Sequence, residues 1–469
     1  MSTILKNKKT LYWGITILLT VGCYFLPLGE VYTPVMKRFF AITVLGLCIL
    51  AFELMHNFAL GMLLPSLWVM FGVTDFATAF SPYVSTNFFV LVNAFLFAMV
   101  LTKTGFLNRI GYALIVKSGG TYNSGVWALL LIGIVLSFVS MMNATIIIAT
   151  IGFSMAVALG IKPTDKAAVP IFTALVLGAA NSKVICYSPI SITIMNASVQ
   201  AVIPDFTIDY FSLVLHNLPM VLFIVLFMWA VLKWYEKSSK KDGVSYDLEG
   251  FKAEYKEKYE ALGKMSKNEK IAACTLCGIF LWMLLNTLRI IPFDVVYAFI
   301  LANIFLFSLG IATTEDVKNV NYSITFVVMA FVAVGTVAGK IGATSLVTAG
   351  VASVLGSLGT YWASFGTAVF GTLANFVLTP YAMMSMLPAT VAAYCQQLGM
   401  SFLPHLYATY LAGDIVFFPY EYPLILLIYG FGICSMPKVI KMLTAKALAS
   451  LVFIVAIMMP YWYILGLYA

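Results

Sequence analysis

Three ionisable side chains stand inside otherwise apolar stretches of this sequence: Lys183, Asp414 and Glu421. A charge at the centre of a bilayer costs at least about 2.5–3.5 kcal/mol, so each must face protein or water and find a partner. Lys183 precedes the dipeptide Ser188-Pro189 by five residues. Asp414 and Glu421 are seven residues apart, a spacing that places them on one face of a continuous helix, two turns from each other. Either acid could pair with the lysine or carry a proton. Two amides, Asn143 and Asn375, interrupt other apolar segments, and an amide can donate to a carboxylate or bind a cation through its oxygen. Thr145, Ser188 and Thr379 add hydroxyls beside these positions. This is the chemistry of binding small ions. No glycine-rich phosphate loop, serine–histidine constellation or pair of catalytic carboxylates lies in a water-facing segment, so neither an enzyme nor an organic cofactor is expected.

The elements that must position these residues belong to a membrane protein. The 469 residues are 62% hydrophobic and only 10% charged, with a mean hydropathy of +0.98, whereas a soluble domain carries about 25% charged residues. Several apolar runs exceed the roughly 20 residues that span the hydrocarbon core. Spans are expected near 10–28, 37–55, 57–73, 83–102, 166–198, 210–234, 269–288, 293–311, 322–339, 403–434 and 443–467. Segments 124–160 and 354–398, broken at Asn143 and at Asn375–Pro380, read as re-entrant hairpins, and 166–198 and 403–434 as proline-broken helices. The fold class is therefore all-α, with about eleven transmembrane helices and two hairpins. The net charge of +8 reads as orientation and not as nucleic-acid binding. Basic loops at 1–9, 103–123, 161–166, 235–268, 312–320 and 435–442 put the N-terminus in the cytoplasm and the C-terminus outside. The leader Met1–Lys9 runs into an apolar stretch without a cleavage site, so no cleavable signal is expected.

The chain repeats itself. Lys103-Thr-Gly105 matches Lys340-Ile-Gly342, Asn143 matches Asn375, and Pro189 matches Pro423, at offsets of about 232–237 residues. The organisation expected is a leader and extra first helix (1–36), a first repeat (37–234), a cytoplasmic linker (235–268) and a second repeat (269–469). Each repeat has an odd number of crossings, so the second is turned over relative to the first. Within the linker, 248–262 is amphipathic, and Ser266-Lys-Asn-Glu269 is a capping box for the next span. Glu53, His56 and Asn57 read as interfacial capping, and His216 and His405 as lining helix ends. Cys274-Thr-Leu-Cys277 reads as two helix-packing thiols, since no second pair or histidine supports a metal.

Three stretches carry a resemblance. LGKMSKNEKIAACTLCGIFLW, SFVSMMNATIIIATIGF and PYEYPLILLIYGFG followed by SMPKVIK resemble the linker exit, first hairpin and second broken helix of the divalent anion/sodium symporters, which carry carboxylates and sulfate. The resemblance implies a homodimer in which a transport domain moves past a fixed scaffold as an elevator. It also implies that hairpin tips and helix breaks hold substrate and sodium, near Asn143 and Asn375. Here Met142-Asn143-Ala144 and Ala374-Asn375-Phe376 depart from the Ser-Asn-Thr motif, and Leu378-Thr379-Pro380 offers a second register. Lys183 falls near the family's first sodium site, where an ammonium could replace the ion.

The function expected is secondary active transport of a small di- or tricarboxylate across the cytoplasmic membrane. Sodium, protons and anion exchange all remain open as the coupling. The partners expected are the anionic substrate, the bilayer and a second copy of the chain, with no nucleic acid. A cation/proton antiporter with Asp414 as the ion-binding acid, or a channel of related architecture, is the alternative.

Overall fold

Side-chain caps and glycine stops divide the apolar sequence into helices. The computed structural model describes residues 2–26, 32–52, 54–239, 246–343, 355–376, 378 and 380–469. Among these, all extended regular structure is helical, apart from an isolated antiparallel bridge between Thr121 and Asp247. The first half holds α1 (Ser2–Tyr24), α2 (Pro34–Ala51), α3 (Asn57–Met70), the short α4 (Phe76–Phe80), α5 (Thr86–Lys103), α6 (Phe106–Val116), α7 (Tyr122–Val139) and α8 (Thr145–Ala158). It continues through α9 (Ala168–Ala179), α10 (Pro189–Gln200), α11 (Tyr210–Asn217) and α12 (Pro219–Ser239). After α13 (Glu249–Ala261) come α14 (Lys267–Thr287), α15 (Val295–Ser308), the short α16 (Thr314–Lys318) and α17 (Tyr322–Lys340). The chain ends with α18 (Gly359–Ala374), α19 (Pro380–Leu398), α20 (Phe402–Ala412), α21 (Pro423–Gly430), α22 (Met436–Phe453) and α23 (Met459–Ile464).

Local signals account for the boundaries. Thr33 accepts from Met36 N with proline at the first helical position of α2, and His56 caps α3 through Nδ1. Glu53 lies outside the described residues. Ser266 and Glu269 form the reciprocal capping box at the start of α14. Gly105 (φ +85°) and Gly342 (φ +74°) take the left-handed conformation that ends α5 and α17.

Eight segments among the described residues are long and apolar enough to cross a membrane. They are Pro34–Ala51, Phe76–Lys103, Tyr122–Val139, Ala168–Gln200, Pro219–Ser239, Lys267–Thr287, Tyr322–Lys340 and Met436–Ile464. This is an all-α, multi-pass membrane protein. Ala168–Gln200 is almost wholly enclosed by protein, whereas Lys267–Thr287 turns most of its surface outward. The interruption at Asn143 is the turn between α7 and α8, and Asn375 lies in the turn between α18 and α19.

Two ion pairs show how α5 and α17 lie. Lys103, the last residue of α5, reaches Asp316 ahead of α17 at 2.8 Å. Lys340, the last residue of α17, pairs with Asp75 ahead of α5. Each helix therefore ends beside the other's start, so the two run antiparallel. Lys340 holds the Asp75 carboxyl below the usual carboxylate range. At Asp316, burial pushes the carboxyl up, but Lys103 and Thr313 outweigh it and the net shift is downward. The linker is held down too. Arg109 of α6 forks onto Glu269 and also donates to the carbonyls of Leu262 and Gly263.

Small residues let the hairpin helices approach the broken helices closely. A Cβ on Gly133 of α7 would lie 2.7 Å from Gly178 Cα of α9. One on Gly371 of α18 would lie 2.8 Å from the Ala412 Cβ of α20. Close backbone approach through small residues is how helices associate where lipid supplies no hydrophobic drive. Gly178→Ala should lower the thermal midpoint of the detergent-solubilised protein, by about 1–3 kcal/mol of overpacking. Gly278→Ala on α14, where a Cβ meets nothing within 4 Å, should not; equal behaviour of the two variants would contradict the packing described.

Candidate functional site

Helices α9 and α20 each stop inside the protein, and the chain that leaves them is irregular. After α9, Asn181–Val184 makes a 3-10 turn, and Ser188 then caps α10, accepting from Ser191 N at 3.3 Å with Pro189 at the first helical position. After α20, residues 413–418 are irregular, Pro419–Glu421 forms a 3-10 turn, and Pro423 opens α21. The prolines lack the N–H that a continuous helix needs. Backbone groups freed in a membrane interior must be satisfied by neighbours. Tyr410 donates its hydroxyl to Lys183 O at 2.7 Å, and Tyr210 to Ile185 O at 2.7 Å. In the second break, Asn375 Nδ2 donates to Ala412 O at 2.7 Å and Ile415 O at 3.2 Å. Lys446 of α22 donates to Asp414 O at 2.5 Å, while Glu421 accepts from the amides of Phe417 and Phe418.

The two breaks meet at one ion pair. Lys183 Nζ lies 3.0 Å from Asp414 Oδ1, with side chains 1% and 6% exposed. The contact is at ion-pair distance but lacks hydrogen-bond angles, leaving both Asp414 carboxylate oxygens without a directed donor. Lys183 Nζ stands 4.8 Å from the centre of the Tyr410 ring and 5.9 Å from that of Tyr422, which adds cation–π attraction in a desolvated setting. Gly413 makes the approach possible, since a Cβ there would sit 3.3 Å from Lys183 Nζ. The hairpin tips close on the breaks: Ser182 Oγ donates to Met142 Sδ at 3.6 Å, and Asn375 reaches the second break as above.

The structure brings together Lys183, Asp414 and Asn375, with Glu421 and Ser188 in the same breaks. It corrects the helical relation between Asp414 and Glu421. The helix ends at Ala412, so the acids share no helix face, and it is Asp414 that pairs with Lys183. Glu421 instead holds its own 3-10 turn. Asn143 is exposed, and its Nδ2 is spent on Ser140 O and Met141 O. There it steadies a turn in which Met141 and Met142 have φ of 53° and 70°. Thr145 is buried at the first turn of α8. Thr379 lies outside the described residues.

Sequence reasoning passed over three residues. Lys446, fully buried in α22, carries the same signal that exposed Lys183, a lysine within an apolar span. Asn181 is buried with an Oδ1 that no donor reaches, a condition shared by Asn375 Oδ1. Tyr410 gave no signal, since a buried tyrosine in a helix reads as packing. Elsewhere, His405 is buried in the first turn of α20 and His216 lies in the last turn of α11. No group of three or more His, Cys, Asp or Glu among the described residues could hold a metal. Cys274 and Cys277 are exposed, and Cys274 lines an apolar groove between α14 and α15 that contains none of the site residues.

Interrupted helices that meet inside a multi-pass bundle are how many transporters build their binding sites. Solved transporter structures share the fold, two of them as follows. The Alcanivorax borkumensis YdaH transporter, described as having an unusual topology, is 15% identical over 98% of this chain and 99% of its own, with a TM-score of 0.54. MtrF of Neisseria gonorrhoeae, described among antimetabolite efflux pumps, is 12% identical over 88% of this chain and 96% of its own, with a TM-score of 0.56. No curated protein matches the sequence significantly. The family profile CitMHS, citrate transporter, matches residues 47–412. The chain belongs to the citrate transporter family, in keeping with the resemblance to carboxylate carriers.

Removing one member of a buried ion pair strands the other charge, at a cost of about 3–5 kcal/mol. Asp414→Asn should therefore lower the thermal midpoint markedly, and Lys183→Met combined with Asp414→Asn should recover part of the loss. A double-mutant cycle on the purified protein measures the coupling; strictly additive losses would refute it.

Proposed function

We propose that the protein is a secondary active transporter of small di- or tricarboxylates, and that Lys183 is the cation its substrate binds. The carrying observation is the Lys183–Asp414 pair, which joins the breaks of two helices from different halves of the chain. A substrate carboxylate can take the place of Asp414 on the ammonium, so the pair is a lock that substrate opens. Family membership supports a carboxylate cargo. Asn375 Oδ1 and Asn181 Oδ1, buried without donors, suit a substrate hydroxyl or a coupling cation. Asn143 spends its Nδ2 on its own turn, which leaves its exposed Oδ1 as the atom that could meet a cation.

In this reading the hairpins, with the broken helices they grip, form the transport domain of an elevator. Helices α2–α5 and α14–α17 form the scaffold, and two copies associate through it. The N-terminus is cytoplasmic and the C-terminus outside. With Lys183 near where the resemblance puts a sodium ion, coupling by protonation of the released Asp414 or by exchange of one anion for another is favoured over sodium. Citrate or succinate counterflow into proteoliposomes tests the reading, and the Lys183→Ala variant should lose it by a factor of a hundred or more, or about 3 kcal/mol. Undiminished counterflow in that variant would remove Lys183 from the site. Uptake that follows a pH gradient with no organic anion present would instead favour the antiporter.

A further inference from the structure

We propose that Lys446 is a second anion-holding cation of the same site, and that it makes the carrier select dicarboxylates over monocarboxylates. The inference rests on the carboxylate-carrier reading above and adds the residue that counts the substrate's charges.

Lys446 is fully buried in α22, among the largest enclosed side chains of the protein. An ammonium has three donors. One is used, on the carbonyl oxygen of Asp414. Among the described residues no carboxylate lies at ion-pair distance from it. The two nearby acids are already committed. Asp414 turns its carboxylate to Lys183, and Glu421 accepts from the amides of Phe417 and Phe418. Both attract Lys446 electrostatically, while Lys183 repels it. A buried cation is kept only where a counter-charge meets it. Here two ammonium groups flank one residue, Lys183 at its side chain and Lys446 at its carbonyl.

When a substrate carboxylate displaces Asp414 from Lys183, the Asp414 side chain moves and its main chain stays held by Lys446. The two unspent donors of Lys446, which sits on the carbonyl of Asp414, are then left beside the residue whose side chain Lys183 held. A molecule with two carboxylates on a short carbon chain meets both cations at once. A monocarboxylate meets one and leaves the other buried without an anion, and it is rejected by that deficit.

The test uses the full-length protein in proteoliposomes, with succinate and butyrate as a matched pair of dianion and monoanion. Lys446→Met should raise the KM for succinate counterflow at least tenfold and lower that for butyrate, because the unmet cation that penalised the monoanion is gone. A residue that merely holds the fold would lower Vmax for both alike. Parallel changes, or none, overturn the proposal. Should the methionine variant fail to fold, competition on the wild type decides. Succinate must inhibit labelled citrate uptake at a concentration at least tenfold below that of butyrate, and equal potency overturns the proposal. If the wild type moves no organic anion at all, it is the carrier reading that fails.

Discussion

Lys183 and Asp414 leave water at the same point, and neither could remain there without the other. The effective penalty of desolvating each ion is several kcal/mol, and only close approach with further polar contacts offsets it. Much of the local architecture follows from that demand. Gly413 clears the space beside the ammonium, and the rings of Tyr410 and Tyr422 enclose it. The charges meet where both helices break, Lys183 in the 3-10 turn after α9 and Asp414 in the irregular stretch after α20. The breaks in turn expose backbone groups, which Tyr210, Tyr410, Asn375 and Lys446 satisfy. Remove the ion pair and these secondary provisions lose their purpose.

The membrane class and the interrupted segments could be read from the sequence because lipid enforces simple rules. Apolar runs of fixed length cross it, and polar residues inside them must have partners. Lys183 and Asp414 were found by that rule, and their pairing was among the options it left open. The same rule applied to Lys446 would have marked a fourth charge. What could not be read was the backbone. A seven-residue spacing implies one helix face only if the helix continues, and Gly413 with the prolines at 419 and 423 ends it. Asn143 illustrates the other limit. An amide at a hairpin tip can meet a ligand or close its own turn, and composition cannot distinguish the two. Here its Nδ2 closes the turn, while its exposed oxygen is not used there. Asn375, its partner by spacing, instead reaches into the neighbouring break.

The halves are alike in architecture and unlike in chemistry. Hairpin helices grip broken helices through Gly133 and Gly178 in one half and through Gly371 and Ala412 in the other. The first break contributes a lysine and the second an aspartate, so the shared framework carries complementary charges. Lys446 has no counterpart at the matching offset, where Leu213 is buried. Ser198 of α10 accepts from Ala389 N in α19, just past Pro388, and so adds a further tie between the halves.

The reciprocal bonds from Lys103 to Asp316 and from Lys340 to Asp75 bear on vectoriality. A frame fastened by the same clasp at either end offers cargo no downhill side of its own. In the carrier reading proposed above, which way a solute travels is then set by the gradients of solute and coupled ion between the two compartments.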